Sequence, residues 1–163
     1  MQTQPVIVER PAQPYLAIKE RVLIPFGATV DRVLPELDAW FAARRLAPSG
    51  PPFFKYDRVA MPELDVAFGM PVDAAVDGDA RVAAGVLPPG RFAQLTHRGH
   101  YDGLMEATGR LLDWAKAEGL AWDMLAAADG DHFACRLEIY RTDPTIEHDP
   151  AAWITDIAIK LAD

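Results

Sequence analysis

The apolar positions of the chain follow two periods. Phe133, Cys135, Leu137 and Ile139 alternate with Ala134, Arg136, Glu138 and Tyr140, the period of two of a strand with one buried face. Glu138 falls mid-run on the less apolar face, with Tyr140 beside it. It is either a solvated strand acid or the floor of a cleft, and the alternation leaves both readings open. Val6 to Val8 open an earlier strand that meets Pro11 and Pro14, which predicts an interrupted or edge strand. Tyr15 to Ile24, Phe53 to Asp57, Leu64 to Met70, Arg91 to His97 and Trp153 to Leu161 read as further strands. From Thr29 the period changes. Val30, Val33, Leu34, Leu37, Trp40 and Phe41 recur three and four apart, the stripe of an amphipathic helix reaching about Leu46, with Pro35 as a bend or a later start. Leu104, Ala107, Thr108, Leu111, Leu112 and Ala115 mark a second helix, begun around Gly99 to Asp102 and ended at Gly119. Val86 to Gly90 is expected as a turn, the stretch around Trp122 and Asp129 to Asp131 as a loop, and Asp73 to Arg81 as a link between halves.

The two helical stripes superpose. Moving the first forward by 74 residues sets Val30 on Leu104, Leu37 on Leu111, Trp40 on Trp114 and Leu46 on Leu120. Each helix is preceded by a strand and followed by two. The pattern predicts an α+β fold, a strand-helix-strand-strand unit duplicated over residues 1–163, with repeats of about 1–78 and 79–163. Two such units join their sheets into one antiparallel surface with both helices on one face. A central cleft is expected at the pseudo-two-fold junction, on the face the helices leave bare.

Composition narrows the function classes. The chain has 163 residues, half of them hydrophobic, enough for a sizeable core. Its formal net charge of −8 opposes nucleic acid, and no basic run, helix-turn-helix pattern or zinc spacing is present. No apolar run approaches the roughly 18 residues of a membrane span, and the N-terminus lacks the pattern of a secretion signal; a cytoplasmic protein is expected. Cys135 is the single cysteine and Ser49 the single serine. The first sits on an apolar strand face, as an inert thiol does, and the second in a proline turn, unlike a hydrolase nucleophile. His97 and His100 precede a helix start and supply at most a fragment of a metal set, with His132 and His148 elsewhere. No metal and no cofactor is expected.

VIVERP near the start, GPPFFKYD at 50–57, LPPGRFAQLTHRGHYDGL at 87–104 and LEIYRTDP at 137–144 occur in an order and spacing that span nearly the whole chain. In these the chain resembles the GyrI-like small-molecule-binding domain, the effector-binding domain of bacterial transcription activators, in a stand-alone form without a DNA-binding domain. The resemblance implies the same duplicated fold. It also implies an aromatic cleft whose buried glutamate pairs with cationic, often aromatic, ligands. Glu138 falls at the family glutamate's position and Tyr56 on a family tyrosine. Tyr140 shares the strand face of Glu138, and Tyr15, Phe68, Tyr101, Trp122 and Trp153 are the remaining candidates for the lining; Trp40 and Trp114 read as helix-face core.

A carboxylate among rings suits a lipophilic cation. The rings bury apolar area and each adds roughly 0.5–2 kcal/mol of cation-π attraction, while the carboxylate supplies the countercharge. The leading expectation is therefore binding of small cationic or amphipathic aromatic molecules. A second is hydrolysis of small electrophilic toxins, with Glu138 as general base and Tyr56 or Tyr140 orienting the substrate; desolvation raises the pKa of a carboxyl group toward the range such a base needs. A third is an acidic protein-binding inhibitor of a DNA-handling enzyme such as gyrase. It rests on net charge alone, and the acids are spread along the chain rather than clustered.

Overall fold

The computed structural model describes residues 2–163. In chain order the elements are β1 (Val6–Arg10), β2 (Gln13–Leu23), α1 (Gly27–Ala43), β3 (Phe53–Ala60), β4 (Glu63–Pro71), β5 (Ala83–Leu87) and β6 (Gly90–Arg98). They continue with α2 (Leu104–Ala117), β7 (Met124–Ala127), β8 (Gly130–Phe133), β9 (Arg136–Tyr140) and β10 (Ile154–Lys160). Among the described residues the strands form one antiparallel sheet in the order β1-β6-β10-β9-β3-β4-β2-β5, with the β7–β8 hairpin attached through β8 to β3. The expected duplication is present. The unit β2-α1-β3-β4 and the unit β6-α2-β9-β10 order their strands alike, and the two meet where β3 pairs with β9. The outermost strands are exchanged between halves: β1 pairs with β6 and β5 with β2. β1 is thus an edge strand, as its prolines predict.

The helices form where the stripes place them. Val33, Leu37 and Phe41 of α1 are buried against Leu16, Ile18 and Phe68, and Leu104, Ala107 and Leu111 of α2 against Leu95, Ile157 and Ile159; Ala115 of α2 is buried as well. The 74-residue shift carries Val33 onto Ala107, Leu37 onto Leu111 and Phe41 onto Ala115, buried onto buried. Pro35 neither ends nor delays α1, which starts two residues before Thr29. The carbonyl that Pro35 leaves without a donor belongs to exposed Asp31, where water can reach it. α2 stops before Gly119, whose φ of 71° is the left-handed conformation of a helix-ending glycine. No helix among the described residues is long and apolar enough to cross a membrane.

The sheet's other face carries no helix, yet it is buried. Tyr15, Ala17, Phe53, Ala67, Phe92, Cys135, Leu137 and Ala158 form one cluster there, with Tyr15 edge-on to Phe53 at 5.4 Å. The sheet curls around this cluster, and its alanines let the strands close on one another. The expectation of a groove on this face is therefore wrong: the curl fills it. α1 packs over β2 and β4 and α2 over β6, so the central β3–β9 seam is left bare on the helix side, and the cleft opens there.

Three further expectations are corrected. Val86 and Leu87 are strand residues of β5, and the turn is Pro88–Pro89. Ala83–Leu87 has little strand propensity of its own and is extended because β2 offers it an edge; a Cβ on Gly85 would come within 2.6 Å of the Tyr15 ring. The stretch after Trp122 is the β7–β8 hairpin, closed by Gly130 at φ 129°. Phe133 belongs to β8, and β9 begins only at Arg136, so the alternation through Glu138 starts later than it reads.

The helix-to-sheet contact carries much of the packing of the second half. Leu111→Ala is expected to lower the free energy of unfolding by about 2–5 kcal/mol, measured by equilibrium urea denaturation.

Candidate functional site

Strand alternation sends Phe54 and Tyr56 of β3, and Arg136, Glu138 and Tyr140 of β9, to the helix side of the seam. The register sets Phe54 opposite Glu138. Above these residues lies a cleft of about 1550 Å³, walled by α1 and α2. Glu138 is at its floor. The Tyr56 hydroxyl donates to Glu138 Oε1 at 2.6 Å, and the Tyr140 hydroxyl donates to the same oxygen at 2.6 Å. Both bonds fall on Oε1, and neither phenol engages Oε2.

Burial pushes the Tyr56 and Tyr140 phenols well above their ordinary pKa, and the charge of Glu138 pushes them further. Both hydroxyls therefore stay protonated and keep donating, so the carboxylate is pinned by two neutral groups and not by a cation. Hydrogen bonds to an ionised acceptor are about twice as strong as neutral ones. The arrangement orients the carboxylate in an apolar space through two hydroxyl hydrogen bonds, with no ion pair to it among the described residues.

Rings continue outward from this centre. Phe54 and Tyr140 meet at 4.6 Å, Tyr140 and Tyr101 at 5.5 Å, and Tyr101 and Trp153 at 4.7 Å, with His100 stacked on Trp153 at 5.6 Å. Tyr101 is placed by the turn that opens α2. There His97 Nε2 donates to the His100 carbonyl at 2.9 Å, and the His100 ring accepts from the Asp102 amide at 3.0 Å. These two histidines thus build the turn that holds an aromatic wall residue. Acids stand at the mouth: burial and the facing charge of Asp143 hold the Asp38 carboxyl above the usual carboxylate range.

Of the candidates, the structure brings Glu138, Tyr56, Tyr140 and Tyr101 to the cleft. Trp153 is one ring behind, against Tyr101, with its indole nitrogen donating to the Glu147 carbonyl at 2.7 Å. The other three lie elsewhere. Tyr15 is on the opposite face against Phe53, because an odd residue of β2 points into the curl. Phe68 is fully buried behind Phe54 at 4.8 Å, closed off from the cleft by that ring. Trp122, bridged to Leu161, lines a separate cavity of about 620 Å³ beyond α2. Sequence reasoning missed Phe54, Asp38 and Arg136. The signal for two of these was available: Phe54 precedes Tyr56, and Arg136 precedes Glu138, by one strand period. Asp38 carried none, since it reads as the polar face of α1.

The family model of the GyrI-like small molecule binding domain matches residues 3–162. No curated protein sequence matches the chain. Among solved structures it is similar to EcmrR: in the EcmrR–DNA complex the TM-score is 0.79 at 19% identity, over 98% of this chain and 57% of that one. The chain therefore spans little more than half of that protein's length. With the EcmrR C-terminal domain alone the TM-score is 0.72 at 19% identity, over 98% of each. SAV2435 bound to tetraphenylphosphonium gives 0.67 at 10% identity, over 98% and 94%. A hydrolase from Listeria innocua gives 0.62 at 14%, over 98% and 92%.

All four tyrosines of the chain are held above their ordinary pKa of about 10, Tyr15 and Tyr101 chiefly by burial. The unfolded chain releases phenol protons near that pH while the folded chain retains them. Stability is therefore complete below it and falls as pH rises above it. Ultraviolet titration should show a late phenolate step that is removed in Tyr56→Phe/Tyr140→Phe. An early step from these two phenols in the folded protein contradicts the buried hydrogen-bonded pair.

Proposed function

The chain belongs to the GyrI-like small-molecule-binding family, and on that premise we propose that its cleft binds lipophilic cations and cationic aromatic amphiphiles, with Glu138 as their countercharge. The observation that carries this reading is the carboxylate held at 2.6 Å by both Tyr56 and Tyr140 at the floor of an aromatic cleft. A lipophilic cation leaves water readily, gains apolar contact with Phe54, Tyr140 and Tyr101, and meets a charge whose hydration has already been replaced by phenol hydrogen bonds. The tetraphenylphosphonium in SAV2435 is a ligand of this class on the same fold, which supports the reading. A cleft of about 1550 Å³ exceeds the roughly 300–1,000 Å³ usual for one drug-sized ligand, so breadth of ligand shape goes with it.

The same geometry favours a second reading through one feature, the Oε2 oxygen that neither phenol engages. A carboxylate oxygen in such a cleft can take a proton from water while the aromatic walls position an electrophile, and one protein of this fold is a hydrolase. Product formation from a strained small electrophile by the wild type, absent in Glu138→Gln, would establish it; binding without product would end it.

Binding is tested by calorimetry with tetraphenylphosphonium and its neutral isostere tetraphenylmethane carrying a solubilising group. Glu138→Gln is expected to weaken the cation by about tenfold or more, the loss typical of removing a desolvated charge partner, and to leave the neutral compound unchanged. Equal effects on both compounds would remove Glu138 from its role. Tyr56→Phe, which frees one lobe of Oε1 without touching the charge, is expected to cost a smaller factor.

A further inference from the structure

Arg136 stands beside Glu138 on the cleft face of β9 and takes no part in holding it. Among the described residues its guanidinium has no hydrogen-bond acceptor and no ion pair; it lies over the Phe133 ring at 4.8 Å. Arg141, the other arginine lining the cleft, is tied to Asp156 at 3.0 Å. Burial disfavours the charge on Arg136, against the attraction of Glu138, Tyr56 and Asp131. Yet its nitrogens are not among the sealed, unpartnered polar atoms of the described residues, which are Arg10 Nε, His97 Nδ1 and Thr155 Oγ1. The donors are open to cavity space.

Two cavities meet at this side chain. The cleft lies on one side. On the other is the 620 Å³ cavity lined by Trp122, Met124, Phe133 and Lys116, and only Arg136 and Leu112 line both. A guanidinium presents five donors in a flat fork that fits a carboxylate through two parallel bonds. The Phe133 ring, 4.8 Å from the guanidinium carbon, gives that fork an aromatic face to rest against. A simple anion would be repelled by Glu138 nearby. An anion that carries its own cation would not, and strand geometry sets Arg136 and Glu138, two residues apart on one face, about 7 Å from each other along β9.

We propose that Arg136 is an anion subsite at the junction of the two cavities, so that the cleft takes aromatic zwitterions, with the ammonium at Glu138 and the carboxylate on the Arg136 guanidinium. This rests on the reading of Glu138 as the cation subsite and adds a charge of the opposite sign to the ligand.

The test uses three probes of one shape in calorimetry: para-trimethylammonio-cinnamate, its methyl ester, and para-tert-butyl-cinnamate. The wild type is expected to bind the zwitterion about tenfold more tightly than the ester, the gain of a charge-assisted bidentate contact, and the tert-butyl anion weakly. In Arg136→Met the preference should vanish while ester affinity holds. Arg136→Lys, which keeps the charge and loses the fork, should retain part of the preference and guards against a folding defect in the first variant. Equal binding of acid and ester by the wild type overturns the proposal. So does Arg136→Met tightening both ligands by one factor, which makes Arg136 a plain countercharge of Glu138, and so does an anion that binds as tightly as the zwitterion. Failure of the cation subsite itself would be seen separately, as an ester affinity unmoved by Glu138→Gln.

Discussion

The pairing of β3 with β9 is the contact on which the molecule depends. It joins two halves that each have one helix and one patch of sheet, and it does so in the register that sets Phe54 opposite Glu138. A slip of β9 by one residue would turn Glu138 and Tyr140 into the apolar curl and bring Leu137 and Ile139 to the cleft, exchanging a charged floor for a greasy one. Register is guarded from the far side, where Phe53 and Leu137 are buried with Tyr15 and Cys135 and cannot leave. The same burial pushes the Cys135 thiol up to about 12, which makes it an inert packing group. The cleft face is thus held in place by the packing of the opposite face.

Charges elsewhere in the sheet are treated differently from the one at the floor of the cleft. Arg58, near the far end of β3, is buried among Glu63, Asp65 and the Asp129 carbonyl, and Lys160 of β10 is paired with Asp123. These charges are neutralised within the protein. Glu138 is oriented by phenols alone and retains its charge toward the cleft. The contrast is between charges paired within the protein and a carboxylate bonded only by neutral hydroxyls.

Duplication explains why such a place exists. Each helix covers the outer strands of its own half and stops short of the seam, because its stripe of Val33, Leu37 and Phe41, or of Ala107, Leu111 and Ala115, is matched to those strands. The two central strands, one from each half, are then left uncovered. The exchange of β1 and β5 closes the opposite ends of the sheet, so the interior seam, rather than an edge, is where polar groups can be displayed.

How much of this was legible beforehand varies with the range of the interaction involved. The helical stripes, their 74-residue correspondence, the alternation that turns Glu138 from Leu137, and the likeness to the GyrI-like family are local or cumulative signals, readable from residue types and spacing. By these the sequence alone determined the fold class, both helices and the chemical character of the floor. Tertiary structure alone decided which face of the sheet holds the cleft, that Tyr15 and Phe68 are core while Tyr101 is wall, that Ala83–Leu87 is a strand, and that Tyr56 meets Tyr140 on one oxygen of Glu138. Each of those depends on contacts between residues far apart in the chain, through the curl of the sheet, the exchange of edge strands and the register of β3 on β9. A one-residue slip of β9 on β3 would invert the floor of the cleft without changing any local pattern.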